Sequence, residues 1–309
     1  IEVNLKILIF GSEGMVGSSI SNILSKGNDY ELVLSNRNTN NLFDLSSTKK
    51  HIKDVNPDCI INAAAKVGGI NINNEKRFEF ITENLKINMN ILESCLENKN
   101  IKIINLGSSC IYPLDAENPL KEEYIMTGKL EPTNSPYAMA KLSAIEIGDA
   151  MTKQFGHKIT NLMPTNLYGP NDNFSENDSH VIPGLIFRMH NAKINNEESF
   201  SIWGSGKPLR EFLYVDDLSE AIKLIIDKDI DQQILNVGSS QEISIIDLAK
   251  LIKKVVCYDG ELTFDSTKPD GNPRKLLDSS KMFSYGWEPN TQLEDGIRLS
   301  YDWFLKNSA

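Results

Sequence analysis

A chain of 309 residues, 40% hydrophobic and 24% charged, has ordinary globular composition and is long enough for one large domain or two. Its formal charge of −10 argues against a general role on nucleic acid or a membrane surface, because those polyanions repel it, yet a local Arg/Lys cluster can still hold one anionic small ligand. No apolar run reaches the length of a membrane span and the start has no signal-peptide pattern, so the expected setting is cytoplasmic.

The first short β-branched run, Lys6–Phe10, reads as a buried strand. It runs straight into GSEGMVG, whose Gly11, Gly14 and Gly17 lead into a helical pattern over Val16–Lys26. In such a turn the first glycine allows the bend and the second lets backbone approach a pyrophosphate. The third lets the helix lie against the strand, with its N-terminal N–H groups on the anion. Three glycines alone are a weak sign, but a strand before and a helix after make this a dinucleotide loop, and its GxxGxxG spacing is that of the short-chain dehydrogenase variant. The second strand, Glu31–Ser35, ends in SNRN, with no acid for a ribose 2′-OH and with Arg37 available to a 2′-phosphate. That favours NADP(H), while Glu13 inside the glycine loop works against the phosphate.

Further buried strands follow at Cys59–Ala64, Ile101–Leu106 and Ile159–Met163, with helical patterns at Phe78–Glu97 and Pro136–Phe155. This alternation predicts an α/β fold of Rossmann type, a doubly wound parallel sheet with helices on both faces, over residues 1–164. Beyond Pro164 the pattern loosens into SFSIWG, ISIIDLAKLIKKVV and ELTFD. Residues 165–309 are therefore expected to form mainly a smaller α/β substrate-binding lobe, interleaved with the last elements of the sheet. Cys59, Cys95, Cys110 and Cys257 form no CxxC pair, and His51, His157, His180 and His190 show no ligand spacing, so neither a disulfide frame nor a metal is expected.

Chemistry first shows in SPYAMAKL, where Tyr137 and Lys141 fall one turn apart on one helix face. An ammonium beside a phenol lowers its pKa, so the phenol can exchange a proton with a carbonyl oxygen. Ser108, at the end of the fourth strand, can donate to the same oxygen, which makes a carbonyl/alcohol redox site. Cys110, two residues on, has no evident task in such a site; a lone cysteine after a strand is ordinarily a small buried hydrophobe, and a lone histidine a satisfied loop residue.

Taken together, GSEGMVG, INAAAKVGGI, NLGSSCIYP, EPTNSPYAMAK, MPTNLYGPNDNF, SHVIP, WGSGKPLREFLYVDD and KPDGNPRKLLD resemble the GDP-L-fucose synthases. These are the GDP-4-keto-6-deoxy-D-mannose 3,5-epimerase/4-reductases of the extended short-chain dehydrogenase/reductase superfamily, and the motifs follow in family order from Gly11 to Asp278. The resemblance implies a GDP-sugar substrate, NADP(H), no nucleic-acid or membrane partner, and a homodimer. It gives Cys110 and His180 the acid–base work of epimerisation, since inversion beside a carbonyl takes a proton from one face and returns one to the other. By the same route Met15, Val16, Pro164, Asn166, Leu167 and His180 join Lys141 around the cofactor. Arg188, Trp203, Arg210, Lys268 and Asp270 belong to the substrate, with Asn166 and Asn173 as hydroxyl binders and Arg274 and Lys275 in the same region. The dimer is expected through the helices Phe78–Glu97 and Pro136–Phe155, with Ala140, Ile145 and Ile147 as apolar positions beyond those a sheet-facing stripe needs. The one departure is Glu13, where the family commonly has a basic residue. The neighbouring 4,6-dehydratases carry an acid at the Cys110 position, which counts against dehydration. Two other readings stay open: the same chemistry on another GDP-4-keto-deoxy sugar, dideoxy or heptose, and a dinucleotide sensor without chemistry.

Overall fold

Strands and helices alternate through the first half of the chain, as the apolar runs require. The structure, a computed structural model, describes residues 4–27, 29–268, 270 and 272–307; Pro269 and Gly271 of the KPDGNPRKLLD motif lie outside the described residues. The strands are β1 (Leu5–Phe10), β2 (Tyr30–Ser35), β3 (Cys59–Asn62), β4 (Lys102–Leu106), β5 (Ile159–Pro164), β6 (Asn166–Tyr168), β7 (Ser199–Trp203), β8 (Leu209–Tyr214), β9 (Ile234–Val237), β10 (Glu242–Ser244), β11 (Glu261–Asp265) and β12 (Arg274–Lys275). The helices are α1 (Met15–Leu24), α2 (Leu45–Val55), α3 (Ile70–Glu75), α4 (Arg77–Ser94), α5 (Ser135–Phe155), α6 (Val181–Ile194), α7 (Val215–Asp227), α8 (Ile245–Val256), α9 (Ser280–Ser284) and α10 (Leu293–Asn307).

Among the described residues the main sheet is parallel and six-stranded, in the order β2-β1-β3-β4-β5-β9. Successive side chains of a strand point to opposite faces, and both faces are covered, which is why these strands are solid apolar runs. Leu8 and Phe10 of β1 meet Ile52 of α2, Ile87 and Ile91 of α4 and Met151 of α5. Ile7 and Ile9 turn the other way, onto Ile20 and Leu24 of α1 and Leu218, Ile222 and Ile225 of α7. The fold is thus the Rossmann-type α/β sheet expected, and β9 with α7 comes to it from the C-terminal half of the chain. A second core gathers α6, α8 and α10 around β7 and β8, with Phe212, Tyr214, Ile252 and Phe304 buried in it.

The chain runs from β1 to β2 on one side and returns to β3 on the other, so the strand order reverses at β1/β3. Open α/β sheets bind ligands in the crevice beyond such a reversal, at the carboxyl ends of the strands. Two of the apolar positions expected to lie on the free face of α5 are instead inside: Ala140 and Ile145 are buried, and Ile147 is half-buried against the β1–α2–α4 core. The large apolar side chains left exposed on α4 and α5 are Phe78, Met89, Met139 and, at the end of α5, Phe155. No helix among the described residues is long and apolar enough to cross a membrane.

Candidate active site

The glycine loop sits at the reversal point. Gly11 takes φ +75°, where only glycine is unstrained, and a Cβ there would lie 2.7 Å from the Ala64 nitrogen beyond β3. A Cβ on Gly17 would lie 2.1 Å from the Gly11 oxygen, so this glycine lets α1 close on the loop. Gly14 differs: a Cβ would meet only that same oxygen, at an ordinary 3.5 Å. The protein's own packing does not need a glycine there, whereas a pyrophosphate approaching the backbone does. Gly14 is also the N-cap of α1, with no side-chain cap and no acid in the first turn, while α2 is capped by Asp44 and α8 by Ser244. The N–H groups opening α1, over Met15 and Val16, are therefore left for an anion. The residues present fit a dinucleotide. Arg37 is exposed in the turn after β2, and the N–H groups of Gly11 and Ser12 bind the Ser35 carbonyl to hold that turn against the loop.

Ser108 follows β4 and caps a short 3-10 turn, Ser109–Ile111, its hydroxyl oxygen accepting from the Cys110 N–H at 3.3 Å. The same hydroxyl is within donating reach of the Tyr137 phenol and the Cys110 thiol. Tyr137 stands in the first turn of α5, whose approach is built by Glu131, accepting from the N–H groups of Thr133 and Asn134, and by Arg77, donating to the Pro132 carbonyl at 2.9 Å. Lys141, one turn further on, is 3% exposed; its Nζ donates to the Leu106 carbonyl at 2.7 Å and lies 5.7 Å from the centre of the Tyr137 ring. Burial pushes the Lys141 ammonium down to about 8. The expectation that Lys141 lowers the Tyr137 pKa is not met: burial pushes the phenol up, the Cys110 thiol adds to this, and the one opposing influence is the Ser108 hydroxyl. A phenol so placed is protonated at neutral pH, the form a proton donor needs.

All four cysteines are free thiols. Burial pushes Cys59 and Cys95 up to about 12, which makes them inert core residues. Cys110 is buried and raised as well, but the Lys275 ammonium, the Ser108 hydroxyl and the Lys141 ammonium all oppose the rise. Lys275 is the residue that sequence reasoning underrated. It reaches the site through β12, which pairs in parallel with β8 so that Lys275 lies beside Arg210. The two cations disfavour each other's charge, and an anion between them would relieve both.

His180 is the N-cap of α6 and ends a loop that follows β6. The loop is held where the Gly69 N–H donates to the Asp178 carbonyl at 3.2 Å, and Gly69 must be small because a Cβ would lie 2.7 Å from the Ser179 oxygen. The imidazole is exposed to solvent, and partial desolvation by the surrounding protein pulls its pKa below the ordinary 6.5. It makes no hydrogen bond to Cys110 or Tyr137 among the described residues.

In the second lobe Arg188 stands 4.4 Å from the centre of the Trp203 ring and Lys268 5.6 Å, two cations on one indole. Burial pulls the guanidinium pKa of both Arg188 and Arg210 down, and Arg210 donates to the Leu209 and Asn272 carbonyls. Other expected ligand residues are engaged by the protein's own groups. Both Asp270 oxygens accept from Ser205, and the Asn166 amide donates to the Glu211 carbonyl at 2.9 Å. Asn173 donates to the Asp178 carbonyl and Arg274 pairs with Glu242. Pro164 closes β5, and Leu167 packs onto the α1–α7 side of the main core, as does Val16.

The model of the NAD dependent epimerase/dehydratase family matches residues 7–238. GDP-L-fucose synthase 1 of Arabidopsis thaliana is 46% identical over 302 residues, covering 98% of this chain and 94% of its own. A GDP-6-OMe-4-keto-L-xylo-heptose reductase from C. jejuni superposes with a TM-score of 0.91 at 30% identity, covering 99% of each chain. A GDP-L-fucose synthetase from Naegleria fowleri bound to NADP does so with 0.89 at 28% identity, covering 100% of this chain and 96% of its own. With a family model spanning most of the chain and relatives of this identity along its length, the chain belongs to the NAD dependent epimerase/dehydratase family and, within it, to the GDP-L-fucose synthase group.

Proposed function

We propose that the chain is an NADPH-dependent epimerase and reductase that converts GDP-4-keto-6-deoxy-D-mannose into GDP-L-fucose. One observation carries the reading: a buried thiol, Cys110, in the same small cluster as Ser108, Tyr137 and Lys141. The last three would serve any carbonyl reductase. The thiol adds a further acid–base group of the kind that epimerisation next to a carbonyl needs.

The Ser108 hydroxyl and Tyr137 phenol donate to the C4 oxygen of the sugar, which acidifies the hydrogens on C3 and C5 and stabilises the enolate formed when one leaves. Cys110 and His180 work from opposite faces of the ring, one taking a proton and the other returning one. The solvent access of His180 lets the pair re-equilibrate between the two inversions. The loop of Gly11, Gly14 and Gly17, the start of α1 and Arg37 would hold NADPH, which would supply the hydride for C4. Tyr137 delivers its proton to the C4 oxygen, with the Lys141 ammonium standing 5.7 Å from the centre of its ring. Pro164, Asn166, Leu167 and His180 border the same pocket. Arg188, Arg210 and Lys275 neutralise the diphosphate, Trp203 lies along the ligand between its cations, and Lys268 and Asp270 shape that end of the cleft.

In this reading the six-stranded layer holds the cofactor and the α6–α8–α10 lobe holds the sugar nucleotide. The protein works in a reducing, cytoplasmic setting, because Cys110 must stay a free thiol. Two copies pair through α4 and α5. The likeness to a heptose reductase favours a second reading, the same chemistry on another GDP-4-keto sugar. The test is to mix the protein with NADPH and GDP-4-keto-6-deoxy-D-mannose, follow nicotinamide absorbance and identify the product by NMR. Oxidation of NADPH with formation of GDP-L-fucose is expected; no turnover on this sugar, with turnover on a GDP-4-keto-heptose, would replace the first reading by the second.

A further inference from the structure

We propose that Glu13, oriented by Asn36, is a ribose-recognising carboxylate that opens the cofactor site to NADH as well as NADPH; this rests on the dinucleotide reading above. In this fold the adenosine ribose is read at the end of the second strand, where an acid accepts from the 2′-hydroxyl or a cation meets a 2′-phosphate. Here β2 ends at Ser35 and the next residues, Asn36-Arg37-Asn38-Thr39, contain no acid. The structure brings one from elsewhere. The Asn36 amide nitrogen donates to Glu13 Oε1 at 2.6 Å, across the gap between the glycine loop and the turn after β2.

Asn36 is not a loose surface side chain. Its Oδ1 accepts from the N–H groups of Asn38 at 2.9 Å and Thr39 at 3.1 Å, which settles which end of the amide is oxygen. Its own N–H donates to Thr39 Oγ1 at 2.8 Å, and that hydroxyl lies 3.1 Å from Ser35 Oγ. The amide is therefore locked with its NH₂ toward Glu13. The Ser35 carbonyl, which binds the N–H groups of Gly11 and Ser12, keeps the two loops in one register. One carboxylate oxygen is fixed by Asn36, and no ion pair joins Glu13 to Arg37 among the described residues. The second oxygen is left to accept from a ribose hydroxyl. A 2′-phosphate at the same place meets a carboxylate and a guanidinium together, so the attraction of Arg37 is largely offset.

The test is binding, measured by fluorescence titration with NADPH and NADH, and with 2′,5′-ADP and 5′-AMP as fragments. In the unaltered protein the two dinucleotides are expected to bind within about tenfold of each other. Glu13→Gln keeps size and exposure while removing the charge. It should tighten NADPH and 2′,5′-ADP and weaken NADH, moving their ratio about tenfold or more toward NADPH. Asn36→Ala, which leaves both charges but frees the carboxylate, should weaken NADH; Arg37→Ala should move the ratio toward NADH. A ratio unchanged by Glu13→Gln, or moved toward NADH, would overturn the inference while leaving the cofactor site intact. Failure of either dinucleotide to bind the unaltered protein would overturn the cofactor reading along with it.

Discussion

Gly14 and Gly17 answer different demands from the same loop. Gly17→Ala puts a methyl into the Gly11 carbonyl, and since that neighbour is backbone, the loop and α1 must part. It is expected to lower Tm and cofactor affinity together. Gly14→Ala meets no close protein atom, so Tm should hold while dinucleotide affinity falls about tenfold or more, because the methyl occupies the path of the pyrophosphate. Melting curves and titrations on both variants check this; equal losses of Tm would show that Gly14 serves packing alone. The proton chemistry separates in the same way. Cys110→Ser keeps size and removes the acid–base thiol, so deuterium uptake from D₂O at C3 and C5 should fall by about 10²–10⁴, while NADPH oxidation survives at a reduced rate. The pH limbs should separate too. Lys141 loses its charge as pH rises through about 8, and hydride transfer should decline there. Exchange depends on a thiol raised above its ordinary 9.0 and an imidazole lowered below 6.5, so its limbs lie further out on both sides. Exchange that fails before hydride transfer on the alkaline side would contradict the assignment.

Between elements, the joint that sets Lys275 in place is Glu211. This side chain of β8 has no exposure; its carboxylate accepts from the Ser240 N–H at 2.7 Å and the Leu277 N–H at 3.0 Å, and its backbone oxygen accepts from Thr165 and Asn166. One residue thus ties β8 to the turn after β9, the end of β12 and the β5–β6 link. Glu211→Ala leaves the buried Leu277 N–H and the partly buried Ser240 N–H without their acceptor and should cost about 2 kcal/mol by denaturant titration, with a raised KM as the Lys275 strand loosens. Unchanged stability would mean that water or a local shift replaces the carboxylate. Burial pushes the Glu211 pKa up, so the stability tied to its protonated form is present at low pH and is lost as pH rises through the folded value. This joint also explains what could be read in advance. β1, β3 and β5 are covered on both faces and so appear as solid apolar runs, and Tyr137 and Lys141 share one turn of one helix. β6, β10 and β12 are two or three residues long and are held by side-chain-to-backbone bonds such as those of Glu211. No local period marks them, and Lys275 finds Cys110 only through a pairing with a distant strand.

For the whole molecule, the question is what covers α4 and α5. Phe78 is 74% exposed, Met139 47% and Met89 45%, and Phe78, Ile81, Pro136 and Met139 line one groove between the starts of the two helices. Phe78, Ile81, Leu85 and Met89 recur at three- and four-residue steps, so they form one stripe along α4. Scattered exposed apolar residues need no explanation, but a continuous stripe flanked by a second helix with its own exposed methionine is the face on which the proposed pairing of two copies rests. A two-fold axis across this face would set the stripe of one copy on that of the other, giving a bundle of four helices. Light scattering should then give about twice the 34.6 kDa chain mass at micromolar concentration. Phe78→Asp and Met139→Asp remove no core contact, so each should yield a folded monomer. Tyr137 lies in the turn of α5 that also carries Met139, so a partner seated there would brace the proton donor, and the monomeric variants should lose kcat more than they raise KM. A monomer mass for the unaltered chain, or a dimer indifferent to both aspartates, would send the search for the interface to another face.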